Sequence, residues 1–515
     1  MRTKSLLLLL VFMSSVISGY SQSYDTTQHR VPARKEIRHK LKPRQQEPSF
    51  TSASTRAQGE YIMSEFPTEG EIRGVVLLVA FQDVDFCMSD DSIRALLQAR
   101  YDGENYSEYI EHQEYSEVDD QVIGVRAHIP GSARDYFRDQ SMGKFTPRFD
   151  VIGPIVLDNP RSYYGKNTSS GSDKNPRAMI TEACRKAHER QLVDFANYDS
   201  DDDGIVDFVY VVYAGSDEAQ TGIEDCVWAH ASSISLPVGY LRVERYACSG
   251  ELFVDLSMPG GIGTFVHEFS HILGLPDFYN TKADDFTMDV WSVMDYGMYN
   301  RGGFVPCAYT AFERYSLGWL PMQTLDAPAT MSIGTTDEEL TGYRIFTSDI
   351  DSMKQITEAD TASFYLIETI RKEGWNSYAY AEGLLISEVT YRASAWQNNT
   401  VNTATHRHCV VPANNRYDYN YLEGMLYGTV NHEFSLTSTP AFITQFGTSM
   451  DKPLTDIRYD AKLRQTSFHF RGGAGIGNSP LTTHHSPLIY DLQGRPTANP
   501  TQGIYIEKGK KVVIE

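Results

Sequence analysis

His267 and His271 stand four residues apart with Glu268 next to the first, in the stretch His267-Glu268-Phe269-Ser270-His271-Ile272-Leu273-Gly274-Leu275-Pro276-Asp277. On a helix, side chains at i and i+4 project from one face about a turn apart. Two imidazole nitrogens so placed can reach one Zn²⁺ at about 2.0–2.1 Å. Glu268 is positioned to accept a proton from a metal-bound water. A zinc centre that does chemistry also needs a third protein ligand and one open position. Gly274 can take the left-handed conformation that ends a helix, and Pro276 keeps the helix from resuming. The chain then turns, and Asp277 can return to the metal as a hard oxygen ligand beside two imidazoles. One histidine alone in such a run is ordinarily a hydrogen-bonded core residue. The whole string, at these offsets, points to metal-assisted hydrolysis.

Two further groups carry possible chemistry. In Ser292-Val293-Met294-Asp295-Tyr296, Met294 follows His271 by 23 residues, a setting for a tight turn that puts a methionine beneath the metal. Tyr296 could hydrogen-bond a developing oxyanion, although a buried tyrosine also serves as packing. In Asp199-Ser200-Asp201-Asp202-Asp203-Gly204-Ile205-Val206-Asp207, acidic residues fill positions 1, 3, 5 and 9, with Gly at 6, as in calcium loops. Position 12 is Tyr210 and the loop feeds a strand, so it is no EF-hand. Four carboxylates converging on one loop repel each other without a cation. Structural Ca²⁺ on Asp199, Asp201, Asp203 and Asp207 is the expectation, with a solvated acidic turn as the alternative.

The elements that must hold these groups are legible in the hydrophobic pattern. Val75 to Phe81, Phe149 to Leu157 and Phe208 to Ala214 read as buried strands. Ser89 to Tyr101, with Ser89 as N-cap, and Pro176 to Gln191 read as helices, and Gly263 opens the helix bearing the His-Glu pair. Alternating strands and helices predict an α/β (α+β) catalytic domain. After Trp319 the pattern changes to short alternating stretches, such as Phe364 to Glu368 and Leu384 to Val389, between turn residues. These predict an all-β domain, a sandwich, ending near Phe470.

Composition narrows the partners. The 515 residues carry 46 Lys and Arg against 67 Asp and Glu, a net charge of -21, which argues against nucleic acid. Residues 1–56 run the other way, with ten basic and three acidic residues, so a basic leader precedes an acidic body. Arg2 and Lys4, the apolar run Leu6 to Met13 and the small-residue site Gly19-Tyr20-Ser21 form an export signal. The run is too short to span a bilayer. Six cysteines are few for a disulfide framework of this size; Cys226 and Cys248 could bridge, while buried free thiols suit most of them.

With these residues in hand the sequence resembles the immune inhibitor A family of secreted bacterial metallopeptidases, over about Gly74 to Phe470. The matching pieces include the zinc string with its Gly-Leu-Pro-Asp continuation, Arg134-Asp135-Tyr136-Phe137, Phe149 to Pro154, and Val211-Val212-Tyr213-Ala214-Gly215. Trp228-Ala229-His230, Trp291-Ser292-Val293-Met294 and Glu313-Arg314-Tyr315-Ser316-Leu317-Gly318-Trp319 complete the catalytic-domain part, and Tyr365 to Glu368 and Gly383 to Ile386 extend it downstream. The resemblance implies a metzincin-like zinc endopeptidase with structural calcium, His267, His271 and Asp277 as ligands and Glu268 as general base. The family often has a small residue after the turn methionine, where this chain has Asp295-Tyr296. The tail, with Tyr490 to Arg495 and Gly503 to Ile506, looks like C-terminal segments of proteins exported by type IX secretion across the outer membrane.

The expected organisation is a signal peptide at 1–21, a basic leader or short pro-segment at 22–60, a catalytic domain at 61–322, a β-sandwich-like domain at 323–472, and a linker with a short sorting-like segment at 473–515. The expected activity is secreted, zinc-dependent endopeptidase action on protein or peptide substrates. The rival is a surface adhesion or glycan-binding protein with a vestigial metal site.

Overall fold

The apolar runs assemble around a mostly parallel sheet. The computed structural model describes residues 66–98, 130–253, 258–347 and 361–472, and the strand segments 489–490, 496–497, 503–507 and 510–514. The segments expected to be an export signal and a basic leader lie outside the described residues. Strands β1 (Arg73–Ala80), β2 (Arg148–Val156), β3 (Ile205–Val206), β4 (Val209–Ser216), β5 (His230–Val238), β6 (Leu241–Phe253) and β7 (Met258–Pro259) form one sheet. β1 pairs in parallel with β2 and β4, and the long β6 pairs in parallel with β4 and β3. On its other side β6 takes β5 and β7 antiparallel, so β5 is an edge strand.

β1 and β4 are buried on both faces, which is why they read as unbroken apolar runs. One face packs Val75, Leu77 and Val79 against helix Pro176–Glu189, through Met179, Ile180 and Ala183. The opposite face packs Val76, Leu78, Phe149 and Tyr210 against the helix Gly263–Ile272, through Phe265 and Phe269. The first of these helices stops short of Gln191, because Gln191 takes a φ of 55° and donates its N–H to the His188 carbonyl at 3.0 Å. Ser89 does stand at the start of helix Asp90–Gln98, where its Oγ accepts from Ser92 N–H at 3.2 Å.

Downstream, strands β8 (Met322–Thr324), β9 (Ala329–Ile333), β10 (Gly342–Phe346), β11 (Thr361–Ile370), β12 (Gly383–Arg392), β13 (His408–Val410), β14 (Leu454–Asp460) and β15 (Gln465–Phe470) form two sheets. The five-stranded sheet runs β13-β12-β11-β10-β8 and the three-stranded sheet β14-β15-β9. Between them Ile345, Ile367, Leu384 and Ile386 of the larger sheet meet Ile333, Leu454 and Phe468 of the smaller. The alternate residues of the larger sheet, among them Phe364, Leu366, Leu385 and Val389, pack into the same core as Phe265 and Phe269. β12 is therefore buried along both faces, whereas β15 alternates strictly.

The compact unit ends at Gly472. By itself, the tail contains a four-stranded antiparallel sheet of Ile489–Tyr490, Pro496–Thr497, Gly503–Glu507 and Lys510–Ile514. All six cysteines are free thiols, Cys226 and Cys248 included. Among the described residues no helix is long and apolar enough to cross a membrane.

Candidate metal centre

Helix α1 (Gly263–Ile272) positions the site by burying both of its faces. Phe265 and Phe269, a turn apart, sit in a ladder of aromatic rings: Phe269 lies 4.9 Å from both Phe137 and Phe208 and 5.4 Å from Phe149, all edge-on. Such pairs add about 0.5–1.5 kcal/mol each beyond the area they bury. At the helix start Gly263 is obligatory, because a Cβ there would lie 1.9 Å from the Met298 carbonyl oxygen. At the end Gly274 takes φ 103° and donates its N–H to the His271 carbonyl at 3.0 Å, and Leu275 N–H reaches the Ser270 carbonyl at 3.0 Å. The chain breaks there, as the Gly and Pro spacing predicts, and swings back along the helix.

The other face presents His267, Glu268 and His271, whose ligand atoms lie within 4.8 Å of one another. The returning chain brings Asp277 Oδ1 to 3.2 Å from the Nε2 of each histidine. Each imidazole is fixed from behind: His267 Nδ1 donates to the Val293 carbonyl at 2.9 Å and His271 Nδ1 to the Leu275 carbonyl at 2.7 Å. A carbonyl can only accept, so Nδ1 carries the proton and the neutral ring turns a bare Nε2 toward the site. With both rings neutral, three lone-pair-bearing atoms face one another in a buried pocket. A cation relieves that arrangement. Donors bound at about 2.0–2.1 Å on a tetrahedral ion sit about 3.3 Å apart, which the observed 3.2 Å spacings match.

The titration behaviour has the same origin. Burial lowers the affinity of His271 for a proton, but the Asp277 carboxylate beside it prevails and raises its pKa to about 9. Burial likewise disfavours ionised Asp277, yet His271 and His267 hold its carboxyl well below the usual carboxylate range. The pocket is built for one carboxylate opposite positive charge.

The segment around Met294 braces the site. The Phe278 N–H, next to Asp277, donates to the Met294 carbonyl at 2.8 Å. Met294 is fully buried, and the preceding carbonyl is the one that orients His267. The turn is pinned by Ser292, whose Oγ donates to Glu313 Oε1 at 2.6 Å and accepts from Met294 N–H at 3.0 Å. Glu313 in turn forms a capping box with Thr310 on helix Ala311–Ser316. Asp295 accepts from Thr287 Oγ1 at 2.6 Å and from Asp289 N–H at 2.7 Å.

Tyr296, His267 and Glu268 line one cleft, together with Trp228, Tyr279 and Tyr299. Sequence reading singled out neither Tyr279 nor Tyr299. Tyr279 follows the third candidate ligand by two residues, and its ring stacks 6.3 Å from that of His267. Burial, then the Asp277 and Glu268 carboxylates, push its hydroxyl well above the usual phenol range.

Another omission lies far along the chain. Asn399 donates from Nδ2 to Asp277 Oδ2 at 2.6 Å and accepts from Asp277 N–H at 2.7 Å, across 122 residues. A residue at such a separation leaves no local periodicity or spacing to find it by.

In the acidic loop the structure brings Asp199, Asp201 and Asp203 together. Asp207 lies outside that group, accepting from Ser200 N–H at 3.3 Å and Ser200 Oγ at 3.2 Å. Burial, helped by Asp201 and Asp199, raises its carboxyl to about 6.

With the geometry described, the kinship of the chain can be read. Immune inhibitor A of Bacillus thuringiensis subsp. alesti is 25% identical over 255 residues, 43% of this chain and 36% of that protein. Pre-pro-metalloprotease PrtV of Vibrio cholerae serotype O1 is 23% identical over 215 residues, 36% of this chain and 23% of that protein. The match therefore spans little more than a third of the first relative and less than a quarter of the second. Residues 67–323 match the catalytic domain of the immune inhibitor A peptidases, family M6, and the chain belongs to that metallopeptidase family.

Proposed function

We propose that the protein is a secreted zinc-dependent endopeptidase that hydrolyses peptide bonds of extracellular proteins, with His267, His271 and Asp277 as zinc ligands and Glu268 as general base. The observation that carries this reading is Asp277 Oδ1 at 3.2 Å from two Nε2 atoms whose rings already spend their Nδ1 protons on backbone carbonyls. Bound zinc supplies a water of lowered pKa and polarises the scissile carbonyl. Glu268, buried beside His267 on the cleft wall, takes the proton from the attacking water and passes it to the leaving amine. Tyr296 donates its hydroxyl proton in a hydrogen bond to the carbonyl oxygen as charge builds on it. Met294 holds the floor by fixing the Phe278 backbone.

An extended substrate can add to the free side of β5, gaining main-chain hydrogen bonds without strong sequence demands. Trp228 and Ala229, which lead into β5, line the same cleft as Glu268. Calcium on Asp199, Asp201 and Asp203, with Asp207 nearby, would brace the turn that feeds β4. Residues 323–472 are read as a β-sandwich-like unit behind the catalytic part, and the basic leader and the tail as export elements, the tail addressing outer-membrane machinery. Casein digestion with and without a zinc chelator, read beside metal content, tests the proposal. Undiminished digestion by the metal-free protein would refute it.

A further inference from the structure

We infer that Asn399 is the positioning residue for the carboxylate arm of the metal centre, so that a turn in the downstream β region completes the site. Asn399 follows the short helix Ala393–Gln397 and takes a φ of 52°, a conformation asparagine tolerates at a helix end. From there its amide makes two bonds to one residue: Nδ2–H to Asp277 Oδ2 at 2.6 Å, and Asp277 N–H to its Oδ1 at 2.7 Å. An aspartate alone is free to rotate its carboxylate about χ2. The double clamp fixes both the backbone and the carboxylate plane of Asp277, which leaves Oδ1 as the atom aimed at the two histidines.

The chemistry of the side chain suits the task. A neutral amide occupies the outer oxygen without cancelling the charge that a cation needs, as a lysine or arginine would. A carboxylate in its place would repel Asp277 and lose the donor. The rest of the turn holds the same segment but touches no ligand atom: Asn402 Nδ2 donates to the Phe278 carbonyl at 2.6 Å, Thr403 Oγ1 lies 2.8 Å from Thr281 Oγ1, and His406 Nε2 lies 3.0 Å from Asp285 Oδ2. These contacts fasten the loop as a whole. Asn399 alone among them holds the carboxylate of Asp277.

The role of Asn399 rests on Asp277 being a ligand, so wild type and Asp277→Ala are measured beside the Asn399 variants. Full-length, zinc-loaded protein is titrated with a competing chelator, and zinc per chain is read at each concentration. Melting temperatures of the metal-free forms are taken in parallel. Asn399→Asp is isosteric, removes the donor and sets a second carboxylate against Asp277; Asn399→Gly removes the side chain without adding charge and keeps the backbone conformation accessible. Both are expected to lose roughly 10- to 100-fold in zinc affinity, beyond any change in metal-free melting, while Thr403→Val keeps wild-type affinity. Wild-type affinity in Asn399→Asp, or an equal loss in Thr403→Val, overturns the inference. If Asn399→Gly does not fold, Asn399→Asp decides by the same comparison. Failure of wild type to hold zinc, or full affinity in Asp277→Ala, instead overturns the metal-site reading itself.

Discussion

His408 gives the most quantitative prediction. Its ring is fully buried between Phe278, with centroids 4.4 Å apart, and Phe312, at 5.0 Å, and neither ring nitrogen has a hydrogen-bond partner. Burial alone lowers its pKa from 6.5 to about 3. Below about pH 6.5 the unfolded chain therefore binds a proton there that the folded protein refuses, so stability is present above that pH and is lost as pH falls toward about 3. The slope is about 1.4 kcal/mol per pH unit, so the site costs the wild type about 2 kcal/mol between about pH 7.5 and about pH 5. Asp207 and Asp217, raised to about 6 and about 7, and Glu368, raised to about 7, act with the opposite sign in part of this window. The test is accordingly a difference. Metal-free wild type and His408→Phe are unfolded in urea across this pH range. The change in packing shifts the variant by a constant, but its curve should lack the slope due to His408. Parallel curves for the two proteins would refute the reasoning, and His408→Leu guards against a clash specific to the larger ring.

Four other outcomes follow from the site and its support. Glu268→Gln should retain zinc and lose roughly 10²- to 10⁴-fold in peptide hydrolysis, read by metal content and a fluorogenic peptide. Tyr296→Phe should lower kcat by up to roughly 10²- to 10³-fold with little change in KM or zinc content; an unchanged kcat makes Tyr296 a packing residue. Removing calcium with a selective chelator should lower the melting temperature, and restoring it to a hundredfold excess over its Kd should return about 2.7 kcal/mol. Phe269→Ala, which empties the hub of the aromatic ladder, should cost about 3–5 kcal/mol in denaturant unfolding, while the folded fraction still binds zinc.

Much of the site could be read in advance because its chemistry is local. Four of its groups fall within eleven residues, and helix geometry alone brings two histidines to one face, with a Gly and a Pro to turn the chain back. The Met294 turn was legible for a similar reason, although its anchor, Glu313, was seen only as part of a matching string. Asn399 and His408 were not legible. Their roles come from contacts with residues 122 and 130 positions away, Asp277 and Phe278, and no periodicity encodes such a pairing. The strands downstream illustrate the same limit. β15 alternates and reads as a half-buried strand, but β12 is covered on both sides, and its Leu384-Leu385-Ile386 run reflects a second neighbour that the sequence does not name.

That second neighbour has a consequence for how such a protein can be divided. The family match stops at residue 323, yet Phe312 on one side of that point and Phe364 and Leu385 on the other belong to one buried cluster. Severing the chain there would expose side chains worth about 1.5–3 kcal/mol each. The segment matched by the family is thus smaller than the segment that shares one buried core. Heredity and packing draw their borders in different places, and a crystallographer or engineer trimming this protein should follow the second.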